Sequence, residues 1–210
     1  MSQENRNILY LISAPSGAGK TTICDQLLRS NQNLTRAVTC TTRPPREGEI
    51  HGEDYYFLKV DAFMKHVHDG DFLEHATVHG NFYGTLKSEV VSKLQNGKDV
   101  LLNIDVQGEE TIRKKASEDP TLSPALVTVF VVTKTLNELE CRLRKRGCDS
   151  EEIIQVRLNA AEKEVCYWER FDYLLVSSTY EEDFRRAQMI YEVEKLRTSR
   201  MKNPLSSSST

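Results

Sequence analysis

The ten residues SAPSGAGKTT, Ser13 to Thr22, constrain this chain more than any other stretch. A short apolar run, ILYLIS, leads into them. Leading out, Ile23, Cys24, Leu27 and Leu28 recur on one helical face. A buried strand that feeds a helix through a glycine turn belongs to a βαβ unit, and such units build a parallel sheet. The turn itself has a chemistry. Glycines at 17 and 19 let backbone N–H groups close around phosphate oxygens. The helix that follows presents free N–H groups and the positive end of its dipole. Lys20 is placed to reach β- and γ-phosphates, and Thr21 to offer its hydroxyl to Mg²⁺.

The loop pattern G-x-x-x-x-G-K-[ST] is met at every fixed position but the first, where Ala14 replaces glycine. Ala14 precedes Pro15, and a residue before proline is pushed to extended geometry with negative φ. Alanine adopts that without steric cost, so the exchange is expected to be tolerated.

Three further apolar runs read as strands covered on both faces: VLLNIDV (100–106), LVTVFVV (126–132) and YLLVSS (173–178). Helical patterns lie between them. Leu136, Leu139 and Leu143 recur at helical spacing, and so do Phe184, Ala187, Ile190 and Tyr191. Asp149 and Glu152 have the spacing of a capping box opening another helix. The alternation predicts an α/β fold: a P-loop NTPase core with a parallel sheet flanked by helices. Residues 38–87 break the rhythm with turn residues, aromatics and short strand candidates, and read as an inserted subdomain. Residues 134–160 form a second, helical and arginine-rich interruption. The core is then 1–37, 88–133 and 161–198, and KNPLSSSST closes a low-complexity tail, 199–210, expected to be disordered.

In 210 residues, 28 Lys+Arg face 31 Asp+Glu. That balance gives no global pull toward nucleic acid or an anionic membrane. The 5 cysteines form no C-x-x-C pair, and their number is odd. This reads as ordinary thiols in a reducing compartment, and no apolar run approaches the ~18 residues that span a bilayer. A cytoplasmic location is expected. The pattern specifies no oligomeric state.

Other candidate site residues follow from side-chain chemistry. Asp105 ends an apolar strand, where an acidic residue helps to hold Mg²⁺ beside a phosphate loop. It also suits plain capping of the turn that follows. Two positions earlier stands the neutral Asn103. TTRPPREGE sets Arg43 and Arg46 around two prolines, and two guanidinium groups on a stiff loop suit a phosphate. Tyr55 and Tyr83 offer phenol donors. Glu74, within the otherwise apolar FLEHA, accepts hydrogen bonds only. It matches an edge with adjacent N–H donors, as on guanine, better than the acceptor N1 of adenine.

Taken in order, SAPSGAGKTT, TTRPPREGEIHGEDYYF, FLEHATVHGNFYGT, DVLLNIDVQG, RLRKRGCDSEE and RLNAAEKE resemble guanylate kinases of the bacterial type, from about Ile8 to Leu196. The loop alone is weak evidence for any one kinase; TTRPPREGE followed by GNFYGT is specific. The resemblance implies ATP:GMP phosphotransfer with Mg²⁺ as cofactor, GMP (and dGMP) as acceptor and 38–87 as the GMP-binding part. ATP would lie on Ala14, Pro15, Ser16, Gly17, Ala18, Gly19, Lys20, Thr21 and Thr22. GMP would lie on Thr39, Arg43, Arg46, Tyr55, Glu74, Tyr83, Thr85 and Asp105. Thr21 and Asp105 would hold the metal, Asp105 directly or through water. Lys20, Arg43 and the arginines of the lid and core, Arg142, Arg146 and Arg157, would act on the transferring phosphoryl group. The chain departs from the family pattern at Asn103, usually acidic, at Ser177 and Ser178, often Asn-Asp, and at Ala14 and Cys148.

Plainer readings stand beside these. RLRKR (142–146) also reads as a solvated helix face, though Arg142 and Arg146, four apart, share a side. All 5 histidines fall between His51 and His79 in a spacing that favours surface or packing roles over a metal site. Trp168 and Tyr167 are expected in the core. Another nucleoside monophosphate kinase, or a non-catalytic module of the same fold that binds phosphorylated peptides, are the rival functions. Glu74 and the paired arginines weigh against the first, and the intact Gly19-Lys20-Thr21 against the second.

Overall fold

The computed structural model describes residues 7–78, 80–147 and 149–201. His79, Cys148 and positions 202–210 lie outside these, as does the side chain of Arg146. The strands are β1 (Leu9–Ser13), β2 (Leu34–Arg36), β3 (Thr39–Thr41), β4 (Tyr55–Phe57), β5 (Phe72–Val78), β6 (Asn81–Leu86), β7 (Asp99–Ile104), β8 (Leu126–Val132) and β9 (Tyr173–Val176). The helices are α1 (Lys20–Ser30), α2 (Val60–Asp69), α3 (Lys87–Gln95), α4 (Val106–Ser117), α5 (Leu136–Arg146), α6 (Glu151–Val165) and α7 (Tyr180–Lys195).

A five-stranded sheet runs β2-β7-β1-β8-β9, and all its pairings are parallel. The apolar runs at its centre alternate between two covered faces. Ile8, Tyr10 and Ile12 pack with Ile23, Cys24 and Leu27 of α1 and with Ala187 and Tyr191 of α7. Leu9 and Leu11 pack on the other face with Val90 and Leu94 of α3 and Ile112 of α4. Both faces are therefore apolar, which explains continuous runs in place of alternation. Leu139 and Leu143 of α5 and Ile154 and Ala161 of α6 join the first cluster.

A second sheet, β4-β3-β6-β5, is built from residues 39–86. Its β3–β6 and β5–β6 pairings are antiparallel. Phe63 of α2 stacks on Phe72, ring centroids 4.5 Å apart, and gives this unit a small core of its own.

Three sequence expectations change. α6 takes Ser150 as N-cap, and Asp149 turns instead to Arg157, its Oδ1 3.2 Å from Nη2. An ion pair with a guanidinium has replaced the expected capping box. Trp168 and Tyr167 are 42% and 36% exposed rather than buried. They lie at a 3₁₀ turn, Trp168–Arg170, where the Arg170 guanidinium covers the Tyr167 ring at 4.6 Å. Finally, the ordered chain passes 199: Thr198–Arg200 form a 3₁₀ turn, and buried Arg200 pairs with Glu194 at 3.2 Å and donates to the Pro124 carbonyl. Among the described residues, no helix is long and apolar enough to cross a membrane.

Candidate active site

The carboxyl end of β7 meets the second sheet at a crevice, the end of an open α/β sheet where ligands bind. β1 ends at Ser13, and α1 begins at Lys20. Between them Gly17 and Gly19 take φ of +99° and +98°, a region costly for any residue with a Cβ. A turn from Ala18 N to Pro15 O, 3.2 Å, tightens the loop. Gly19 caps α1 without a side-chain bond, and no acidic residue occupies the first turn. The helix start thus keeps its N–H groups and positive dipole end for an anion. Ala14 is buried, and its methyl belongs to the main core cluster.

Lys20 Nζ donates to the Ile104 carbonyl at the end of β7, 2.8 Å away. Burial lowers the pKa of this ammonium, while the nearby Asp105 and Glu164 carboxylates oppose the shift. Asp105 caps α4, its Oδ1 accepting from Gly108 N at 2.8 Å, so the capping role foreseen for it is filled by one oxygen. The residue is exposed, which leaves its second oxygen available.

Thr39, Tyr55, Glu74, Tyr83, Thr85 and Asp105 line one cavity of about 290 Å³ between the two sheets. Glu74 and Thr85 face each other across β5 and β6. The Thr85 hydroxyl donates to Glu74 Oε1 at 2.8 Å, and burial raises the Glu74 pKa above its ordinary value. The Tyr55 and Tyr83 rings meet edge to face at 6.2 Å. Arg43 does not line the cavity but lies against one of these rings, its guanidinium 5.5 Å from the Tyr55 centroid. Glu49 holds Arg43 Nη2 at 2.8 Å with one oxygen and the Arg46 backbone N–H at 2.7 Å with the other. The Arg46 side chain is exposed and lies apart from the residues lining the cavity. Asn103 does line it.

Helices α5 and α6 reach the phosphate loop from the other side. Arg157 of α6 donates to Ser16 Oγ. Arg142 of α5 donates from Nη1 to Ser177 Oγ at 2.8 Å and to Ala18 O at 3.4 Å, and from Nη2 to Glu138 Oε1 at 2.6 Å. A Cβ built on Gly17 would stand 2.9 Å from Leu143 Cδ2, so α5 backs directly onto the loop. Arg146 ends α5.

Sequence reasoning passed over Glu49, Glu138 and Glu164. Two of these carried a local signal. Glu138 stands one helical turn before Arg142. Glu164 follows Arg157 and Ala161 at i+7 and i+3, on one face of α6. Burial raises the Glu164 pKa, and Lys20 draws it back down.

The donor atoms also fit a hard divalent cation. Among the described residues, no group of three or more His, Cys, Asp or Glu side chains could hold a metal unaided. Thr21, exposed on the first turn of α1, and Asp105 offer oxygen ligands only. This is the sparse set that suits Mg²⁺, which takes most of its ligands from phosphates and water.

A glycine loop after β1, flanked by the arginines of α5 and α6 and by a separate cavity with a half-buried carboxylate, defines a P-loop kinase. Comparison with known proteins narrows the class. The family model described as guanylate kinase matches residues 6–194. A guanylate kinase of Clostridium perfringens is 39% identical over 97% of this chain and 91% of its own length. One from Hydrogenovibrio crunogenus is 47% identical over 82% of this chain and 81% of its own. The crystal structure of guanylate kinase from Anaplasma phagocytophilum superposes with a TM-score of 0.70 at 28% identity, covering 94% of this chain and 91% of that one. The chain belongs to the guanylate kinase family. Its reaction is the transfer of a phosphoryl group from ATP to GMP.

Proposed function

We propose that the cavity floored by Glu74 takes the guanine of GMP and that the loop from Ala14 to Thr22 takes the phosphates of ATP. Glu74 carries the reading. It is a half-buried, partly desolvated carboxylate on the wall of a cavity, with Thr85 as its hydrogen-bond partner. A ligand edge with two adjacent N–H donors would repay its desolvation, and guanine has that edge. Thr39, Thr85 and Asp105 complete the base site, and the same contacts admit dGMP. Arg43, Tyr55 and Tyr83 would hold the GMP phosphate, with Glu49 fixing the Arg43 guanidinium. Arg46, now turned to solvent, would join on closure.

The chemistry asked of the chain is placement and charge neutralisation. The helix dipole contributes only ~0.3–1 kcal/mol at an exposed end. Most of the charge stabilisation falls to Lys20 and the arginines: Arg43, Arg142, Arg146 and Arg157. One well-placed arginine is worth roughly 10³–10⁵ in rate in phosphoryl transfer. Lys20 would leave the Ile104 carbonyl for the β- and γ-oxygens. When bound, Mg²⁺ would neutralise phosphate charge, held by Thr21 and, directly or through water, by Asp105. The segments 38–87 and 134–160 would act as the GMP-binding part and the lid. We place the activity in the cytoplasm, in keeping with the free thiols of Cys24, Cys40, Cys141 and Cys166.

The test is an ADP-release assay with ATP and Mg²⁺ in which GMP, dGMP, AMP, CMP and UMP are each offered as acceptor. Strong turnover with GMP and far less with AMP is expected. Absence of turnover with every acceptor would return the phosphopeptide-binding reading.

A further inference from the structure

Ser177 directly follows β9, at the carboxyl end of the parallel sheet. Its backbone N–H donates to the Val132 carbonyl at 2.7 Å, which fixes it to the end of β8. Its hydroxyl, fully buried, lies between Asp183 Oδ2 and Arg142 Nη1. Asp183, 5% exposed on the first turn of α7, takes the Ser178 N–H on its other oxygen at 2.8 Å.

The direction of these bonds follows from the groups themselves. A carboxylate only accepts, so the hydroxyl proton must point at Asp183. A guanidinium only donates, so the hydroxyl lone pair must point at Arg142. Asp183 therefore sets the polarity of Ser177, and Ser177 sets the place of Arg142. Its two Nη groups contact four acceptors: Ser177 Oγ at 2.8 Å, Ala18 O at 3.4 Å, Glu138 Oε1 at 2.6 Å and Ser178 O at 3.2 Å. The Ala18 contact is the longest, and Ala18 belongs to the phosphate loop. The same Nη1 is 4.0 Å from where a Cβ on Gly19 would stand. The bond that a phosphate oxygen would displace is thus the weakest of the four. The other three hold the guanidinium still during the exchange.

We propose that Ser177 and Asp183 are positioning residues for the donor site: they orient Arg142 over the glycine loop so that it meets the ATP phosphates with its geometry already fixed. The inference rests on the donor-site reading above. It also assigns Ser177 an internal role instead of contact with the base.

The experiment compares Ser177→Ala, Ser177→Thr and Asp183→Asn with the unaltered chain, by calorimetric titration with ADP plus MgCl₂ and, separately, with GMP. Ser177→Ala should weaken ADP about tenfold, the scale of one hydrogen bond to a charged group. It should raise the KM for ATP by a similar factor and leave GMP affinity alone. Ser177→Thr keeps a hydroxyl and should recover ADP affinity to within about threefold, a residual cost set by its extra methyl. Asp183→Asn should fall between the two. Should it fail to fold, the Ser177 pair still decides the matter. Unchanged ADP affinity in a folded Ser177→Ala protein overturns the proposal, as does a Ser177→Thr protein no better than Ser177→Ala. An unaltered chain that binds no ADP is a different failure: it removes the donor-site reading itself, and the inference with it.

Discussion

Thr85 and Glu74 stand opposite each other on β6 and β5, and the threonine hydroxyl donates to the carboxylate at 2.8 Å. The pair sits on the wall of the cavity between the sheets, where burial makes the ionised form of Glu74 costly. The same desolvation that would make this group selective for a donor edge makes it a burden on the empty fold.

Glu74→Gln should therefore separate function from stability. The amide sets a donor against the donors of guanine, and kcat/KM for GMP should fall by ~10²-fold or more. Stability at neutral pH should hold or rise slightly. The sign follows from the raised pKa of Glu74: its ionised form is penalised in the native state, so the wild-type chain loses stability as pH rises from the ordinary glutamate range through that raised value. The advantage of the glutamine variant should be present at neutral pH and fade as pH falls toward 4.5. Urea titrations at pH 7.5 and near pH 4.5 measure it, and a variant markedly less stable at pH 7.5 would contradict the account.

Lys20→Ala tests the opposite side. The ammonium now rests on the Ile104 carbonyl and would transfer to the donor phosphates. Turnover should drop by at least ~10²-fold, and GMP affinity should stay within about threefold. Single-turnover rates and GMP titration together check this. Loss of GMP affinity alone would place Lys20 in the wrong site.

Ala14→Gly should leave ADP affinity within a few-fold, because Ala14 precedes Pro15 and has no use for positive φ. The methyl is buried in the core cluster, so stability should fall by about 1 kcal/mol from lost burial and added chain entropy. Calorimetric titration and thermal melts read the two effects. A large gain in affinity would show that glycine is needed there.

Closure is the fourth expectation. Arg46 is exposed and apart from the cavity lining, so the 38–87 segment must move if this side chain is to touch the acceptor phosphate. Solution scattering with GMP and a non-hydrolysable ATP analogue together should show a smaller radius of gyration than the free chain. An unchanged profile would rule the movement out.

Much of this architecture was legible because its signals are local. Four strands announced themselves as apolar runs covered on both faces, and the phosphate loop as a spacing. β2 did not. Its three residues, Leu34–Arg36, bury one side chain, and the strand is pinned by β7, a neighbour in space alone: Asp99 N donates to the Asn33 carbonyl at 3.0 Å. Trp168 was misplaced because a large aromatic usually sits inside; at this turn only a cation covers its neighbour. The contact between Arg142 and Ser177 was not legible, because it is not local. Ser177 lies 35 positions away in the chain, and only the return of β9 beside β8 brings it near. Glu49 serves Arg43 through a loop bend that no periodicity records.

The leucines of α5 give the glycine loop a back wall. Leu139 and Leu143 close on Gly17, and in the same helix Arg142 reaches around to Ala18. A residue on α5 can thus alter ATP handling without touching ATP, by shifting the surface on which the loop rests. The effect should run both ways: a phosphate that stiffened the loop would stiffen its support. Amide hydrogen exchange in α5 should then slow when nucleotide binds on the loop's far side, so that the helix reports occupancy across a wall of hydrocarbon.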